Sequence, residues 1–122
     1  RFTTVYGEGS RKTMFMGKLM RGELEYATNH VRDFIHVSDV VNAIMIFINT
    51  GTKGKLPAYN VGTGTGHIVS KLAQLKKPDI EIREGHECEA LDNTADNSDL
   101  RALGWEPKIN ARGYLQNDGN VL

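Results

Sequence analysis

Hydrophobic positions along the chain switch between two periods, and the clearest switch lies between Arg32 and Val41. Phe34, Ile35 and Val37 are strand formers beside the charged pair Arg32 and Asp33. From Val40 the run VVNAIMIFIN is apolar at nearly every position, long enough for a helix of about three turns. The pattern predicts a strand that delivers the chain into a buried helix. Ser38 lies where an N-cap belongs, and Asp39 adds negative charge at the positive helix end.

The same reading organises the rest. Residues 1 to 6 alternate as a strand, and Gly7-Glu8-Gly9-Ser10 reads as a turn. Thr13 to Arg21 place Met14, Phe15, Leu19 and Met20 at helical spacing, stopped by Arg21 and Gly22. That methionine-rich face suits core packing, or else an adaptable binding surface. Leu24 to Tyr26 form a short strand, and Asn49 to Pro57 a solvent loop. Ala58 to Val61 predict a strand running into Gly62-Thr63-Gly64-Thr65-Gly66, with a helix over Ile68 to Lys77. Asp79 to Arg83 alternate as a strand, and Glu84 to Asp96 is loop. Asp96, Asn97 or Ser98 caps a short helix carrying Leu100 and Leu103 inward, closed by Gly104 and anchored by Trp105. Residues 110 to 117 predict a further helical turn or two, and Asn117 to Asn120 a frayed tail. The fold class expected is mixed α/β, with short strands alternating with helices.

Composition narrows the function. The 122 residues, 39% hydrophobic and 25% charged, suit one soluble globular domain over 1–122. Fifteen basic and fifteen acidic side chains cancel, which argues against nucleic acid or an anionic membrane as partner. Cys88 is the only cysteine, so no internal disulfide or cysteine-built metal site is expected, and a cytoplasmic location fits. Flanked by Glu87 and Glu89, it has no cationic activator. The chain opens on Arg1 and a strand pattern with no lead-in, which suggests a fragment of something longer.

Two stretches could carry chemistry. Arg32, just before a strand entering the core, can hold a bidentate anion such as a phosphate or pair with a carboxylate. The strand, glycine loop and helix around Gly62 to Gly66 have the layout of a phosphate cradle. Yet GxGxG satisfies neither GxGxxG nor GxxxxGK[ST], and a tightly packed turn accounts for it as well. His67 has no partner at metal-binding spacing among His30, His36 and His86.

Taken together, RFTTVYGEGS, RDFIHVSDVVNAI, AYNVGTGTG, REGHE and ADNSDLRALGWEP resemble, in order, the C-terminal part of the extended short-chain dehydrogenase/reductases that act on nucleotide sugars. These are the NAD-dependent epimerases and dehydratases. The resemblance implies a substrate-binding domain for a UDP-, dTDP- or GDP-linked sugar, with an N-terminal Rossmann domain missing. It assigns Arg32 and Arg83 to the diphosphate, with Asn60 supporting the site or merely hydrogen-bonding a strand end. Where family members carry a substrate-touching asparagine, this chain has Thr4, so Thr4 is a weakened counterpart.

The family's acid/base is the tyrosine of YxxxK. Tyr6, Tyr26, Tyr59 and Tyr114 are instead followed four residues later by Ser10, His30, Thr63 and Asp118. No catalytic, cofactor-binding or metal-binding residue is therefore assigned. The chain alone is expected to be inactive and to bind no cofactor, with NAD belonging to the full-length enzyme. The alternative is a stand-alone binding module or a homo-oligomeric assembly element.

Overall fold

The computed structural model describes residues 1–50 and 56–121. The central unit is a parallel pair, β1 (Thr4–Tyr6) and β4 (Phe34–His36), joined through α1 (Phe15–Met20), β2 (Tyr26–Ala27) and β3 (Val31–Arg32). Thr4 faces Phe34, Val5 faces Ile35 and Tyr6 faces His36. Because strand side chains alternate, the pair feeds two cores. Tyr6 and Phe34 enter one cluster with Met16, Leu19, Leu72, Ile80 and Leu115. Ile35 enters a second with Val40, Ala43, Val61, Leu100 and Trp105, and Val5 packs against it.

Helix α2 (Val37–Thr50) follows β4 without a gap and starts three residues before the expected Val40. The reason is His36: its Nδ1 accepts from the Ser38 backbone N–H at 3.1 Å and lies 2.8 Å from the Ser38 hydroxyl. Ser38 thus sits inside the first turn, and the imidazole does the capping expected of its hydroxyl. Nor is the helix buried all round. Val40 and Ala43 are buried, whereas Val41, Ile44, Met45 and Ile48 are exposed.

The remaining elements are β5 (His67–Ile68), α3 (Val69–Gln74), β6 (Glu81–Ile82), α4 (Ser98–Arg101) and α5 (Ala111–Gln116). β2 pairs in parallel with β6, and β3 antiparallel with β5. The mixed α/β class with short elements matches the sequence reading. Gly22 closes α1 with φ of 72°, and Trp105 is the expected anchor, its indole N–H donating to the Asp39 carbonyl at 3.0 Å. The methionine face is packing, although Met16 is the buried member and Met14 is exposed ahead of the helix.

Three further expectations need correction. Ala58 to Val61 is not a strand: only Val61 forms a bridge, to Phe2. The solvent loop starts later than expected, since Asn49 and Thr50 belong to α2, and its centre, 51–55, lies outside the described residues. The tail from Asn117 is tied down, with Lys76 paired to Asp118 and the Gly119 N–H donating to the Tyr114 carbonyl at 2.8 Å.

Candidate substrate cleft and its surroundings

Asp33 and Asp39, six positions apart in the sequence, are both fully buried yet do different work. Asp39 Oδ1 and Oδ2 accept from the backbone N–H groups of Lys108 and Ile109 at 3.0 and 3.1 Å. It fastens the segment after Trp105 to the start of α2, beyond the simple end charge expected of it. Asp33 turns its carboxylate into the glycine loop. Oδ1 accepts from the Thr63 N–H and hydroxyl at 2.9 and 2.6 Å, and Oδ2 from the N–H groups of Gly64 and Ala95 at 2.9 and 3.2 Å.

The loop with the layout of a phosphate cradle therefore already encloses an anion, which is the protein's own. A Cβ on Gly62 would lie 2.7 to 2.8 Å from Ala95, Thr3 and Asp33, so the glycine is set by packing. These residues do not fit the phosphates of a dinucleotide. Among the described residues, no group of three or more His, Cys, Asp or Glu side chains is arranged to hold a metal ion.

An open cleft of about 560 Å³ lies elsewhere, between the end of β2 and the loop after β6. His30, Arg83, Gly85, His86, Glu87 and Glu89 are among its walls. Arg83 is half-exposed, donates to Glu81 at 2.9 Å and rests over the Tyr26 ring at 4.3 Å. Its guanidinium holds the Glu81 carboxyl below the ordinary 4.5, chiefly through that hydrogen bond. Gly85 touches the His30 ring so closely that an added Cβ would fall 1.7 Å from it. His30 Nδ1 also faces the Thr28 hydroxyl at 3.0 Å and Glu89 Oε2 at 3.2 Å.

Arg32 is linked to this cleft through Glu89, one of its walls. Its Nη1 donates to the carbonyls of Val31 and Ala90 at 2.8 and 2.7 Å, while Nη2 faces Glu89 Oε2 at 3.6 Å. The last distance is an ion pair without a hydrogen bond. With Glu89 half-exposed, such a pair is worth about 0.2 to 1 kcal/mol. A charge-assisted bond to a phosphate oxygen is worth about 1.5 to 3 kcal/mol. Of the two roles open to Arg32, the structure displays the carboxylate pairing, through a weak contact.

The other two candidates sit apart from these walls. Thr4 accepts from Asn93 Nδ2 at 3.2 Å, and Asn93 Oδ1 in turn accepts from the Asp33 N–H at 2.7 Å. Its hydroxyl is thereby joined to the Asp33 anchorage. Asn60 is exposed and donates to the Asp96 carbonyl at 3.2 Å, the plain structural role held open for it, although no strand ends there. Sequence reading missed His30 and Glu89; the REGHE motif stops two residues short of Glu89, and no spacing links either to Arg32.

Comparison with known proteins fits this architecture. The sequence profile of the NAD dependent epimerase/dehydratase family matches residues 1–62. UDP-glucuronic acid decarboxylase 6 of Arabidopsis thaliana is 28% identical over 121 residues, covering 88% of this chain and 34% of the relative. UDP-glucose 4-epimerase of Rhizobium meliloti is 33% identical over 98 residues, covering 74% of this chain and 30% of the relative. Among solved structures, MoeE5 in complex with UDP-glucose and NAD superposes with a TM-score of 0.78 at 29% identity, covering 99% of this chain and 45% of that one. The chain thus spans less than half the length of these relatives. With its α/β fold and the profile match over half its residues, it belongs to the NAD dependent epimerase/dehydratase family.

Proposed function

We propose that this chain is the substrate-binding segment of an NAD-dependent nucleotide-sugar epimerase or dehydratase. Its cleft receives the diphosphate of a UDP-, dTDP- or GDP-linked sugar, and Arg32 and Arg83 supply the positive charge. The observation that carries this reading is the convergence of two segments about fifty residues apart. Arg83 lines the cleft directly, and Arg32 reaches it through Glu89, another of its walls. Two permanently charged forks suit the spread charge of a diphosphate.

The catalytic tyrosine and the NAD site are assigned to a Rossmann half outside this sequence. In support, no tyrosine here begins YxxxK, and the glycine loop is filled by Asp33. Calorimetric titration with UDP-, dTDP- and GDP-sugars tests the binding role; Arg32→Gln and Arg83→Gln should each weaken it. Addition of a catalytic half should restore NAD-dependent turnover, and turnover by the chain alone would refute the division of labour.

A second reading, a homo-oligomeric assembly element, is favoured by one feature only. Val41, Ile44, Met45 and Ile48 leave an apolar stripe of α2 open to solvent.

A further inference from the structure

We propose that Glu89 is an internal competitor for the anion site, holding the charged face of Arg32 until a diphosphate displaces it. The inference rests on the reading of Arg32 as a diphosphate contact. Arg32 is anchored on one side only: Nη1 is committed to two carbonyls, whereas Nη2 has the Glu89 carboxylate at 3.6 Å. His30 presents Nδ1 to the same oxygen at 3.2 Å, and its ring is held by Thr28 and by the backbone at Gly85.

The two cationic or protonatable groups are therefore fixed and mostly buried, with side-chain exposures of 18% and 8%, while the carboxylate between them is 48% exposed. The most exposed partner in this arrangement is Glu89. It sits on a turn in which its own N–H donates to the His86 carbonyl at 3.0 Å, next to Ala90, whose carbonyl takes the other Arg32 bond. A ligand that brings two phosphate groups to Arg32 and Arg83 must meet or move this carboxylate. Glu89 would then set affinity by competition and make the 86–90 turn respond to occupancy.

The test is titration calorimetry of the full chain with UDP and, separately, with inorganic pyrophosphate. Wild type is compared with Glu89→Gln, Glu106→Gln and Arg32→Gln. Glu106 is exposed, lies outside the cleft wall and controls for general negative charge. Removing the competing charge should tighten binding of both ligands about two- to fivefold, the range expected for one such ion pair. Glu106→Gln should bind like wild type. Equal affinity in wild type and Glu89→Gln, with binding lost in Arg32→Gln, overturns the competitor role alone. An equal gain in Glu106→Gln overturns it too, by tracing the effect to net charge. Undiminished binding in Arg32→Gln, or no binding by any of the four chains, overturns the underlying reading as well.

Discussion

Asp33 Oδ1 accepts from both the backbone N–H and the hydroxyl of Thr63, thirty positions along the chain, at 2.9 and 2.6 Å. The pairing converts a loop of three alternating glycines into a rigid collar around a buried carboxylate. It also anchors the backbone next to Arg32, whose guanidinium meets the cleft wall at Glu89.

Asp33→Ala should therefore be among the more damaging single changes. It strips acceptors from three backbone N–H groups and one hydroxyl at part-buried positions, and each donor left orphaned away from water costs about 1 to 3 kcal/mol. A loss of at least about 3 kcal/mol in urea unfolding is expected. Thr63→Val, which deletes only the hydroxyl, should cost about 1 kcal/mol. Equal small effects in both variants would show that the collar contributes little.

The capping of α2 by His36 makes stability depend on pH. Burial is the main reason the His36 pKa lies below the ordinary 6.5, with Asp39 opposing it. His67 is lowered as well, first by burial and then by Arg112, with Asp33 opposing. A histidine that resists protonation when folded takes up a proton more readily when unfolded, so acid favours the unfolded chain. The stability these residues contribute is complete above about pH 6.5 and declines as the pH falls below it. Protonation would also remove the Nδ1 acceptor used by Ser38 and set positive charge at the positive end of a helix. His36→Asn keeps a capping acceptor without titrating in this range. Its unfolding free energy should fall less than that of wild type between pH 7.5 and 5.5; an unchanged difference would assign the acid sensitivity to other groups.

Gly85→Ala should report on the cleft wall. Gly85 has no left-handed backbone, so strain there would be steric alone: the new Cβ meets the His30 ring at 1.7 Å. The ring is nearly buried and must shift, which removes its approach to Glu89. Overpacking of this kind costs about 1 to 3 kcal/mol. A chemical-shift change at His30 together with that loss is the expected result. An alanine variant as stable as wild type, with His30 signals unmoved, would contradict the packing described.

How far these features were legible in the sequence follows from the range of the interactions. The strand from Phe34, the stop at Gly22, the anchor at Trp105 and the helix near residue 98 are written in local period and in turn chemistry, so pattern reading finds them. Asp39 looked like a charge on a helix end because its partners, Lys108 and Ile109, lie about seventy residues away. Ser38 looked like the cap because hydroxyls usually serve there, whereas a histidine two residues earlier outcompetes it. Arg32 and Arg83 were visible as cations, and motif order marked them. Glu89 carries no such mark: only the folded loop brings its carboxylate to Arg32 and His30.

The exposed stripe of α2 is the last relationship open to direct test. Val41, Ile44, Met45 and Ile48 fall at spacings of three, four and seven, so they share one face, and each is between 43% and 66% exposed. Replacing Ile44 and Ile48 together by lysine removes nothing from either core, since neither side chain belongs to them. Unfolding free energy should move by no more than about 0.5 kcal/mol per site, as for ordinary surface changes. The effect should instead appear in association. If the stripe joins copies of this chain, sedimentation of wild type at high concentration should show a larger species that the double variant lacks. If it receives a catalytic half, wild type alone should remain monomeric, and the double variant should fail to restore turnover when that half is added. A double variant that matches wild type in both assays would leave the stripe as plain surface, and the assembly reading would fall with it.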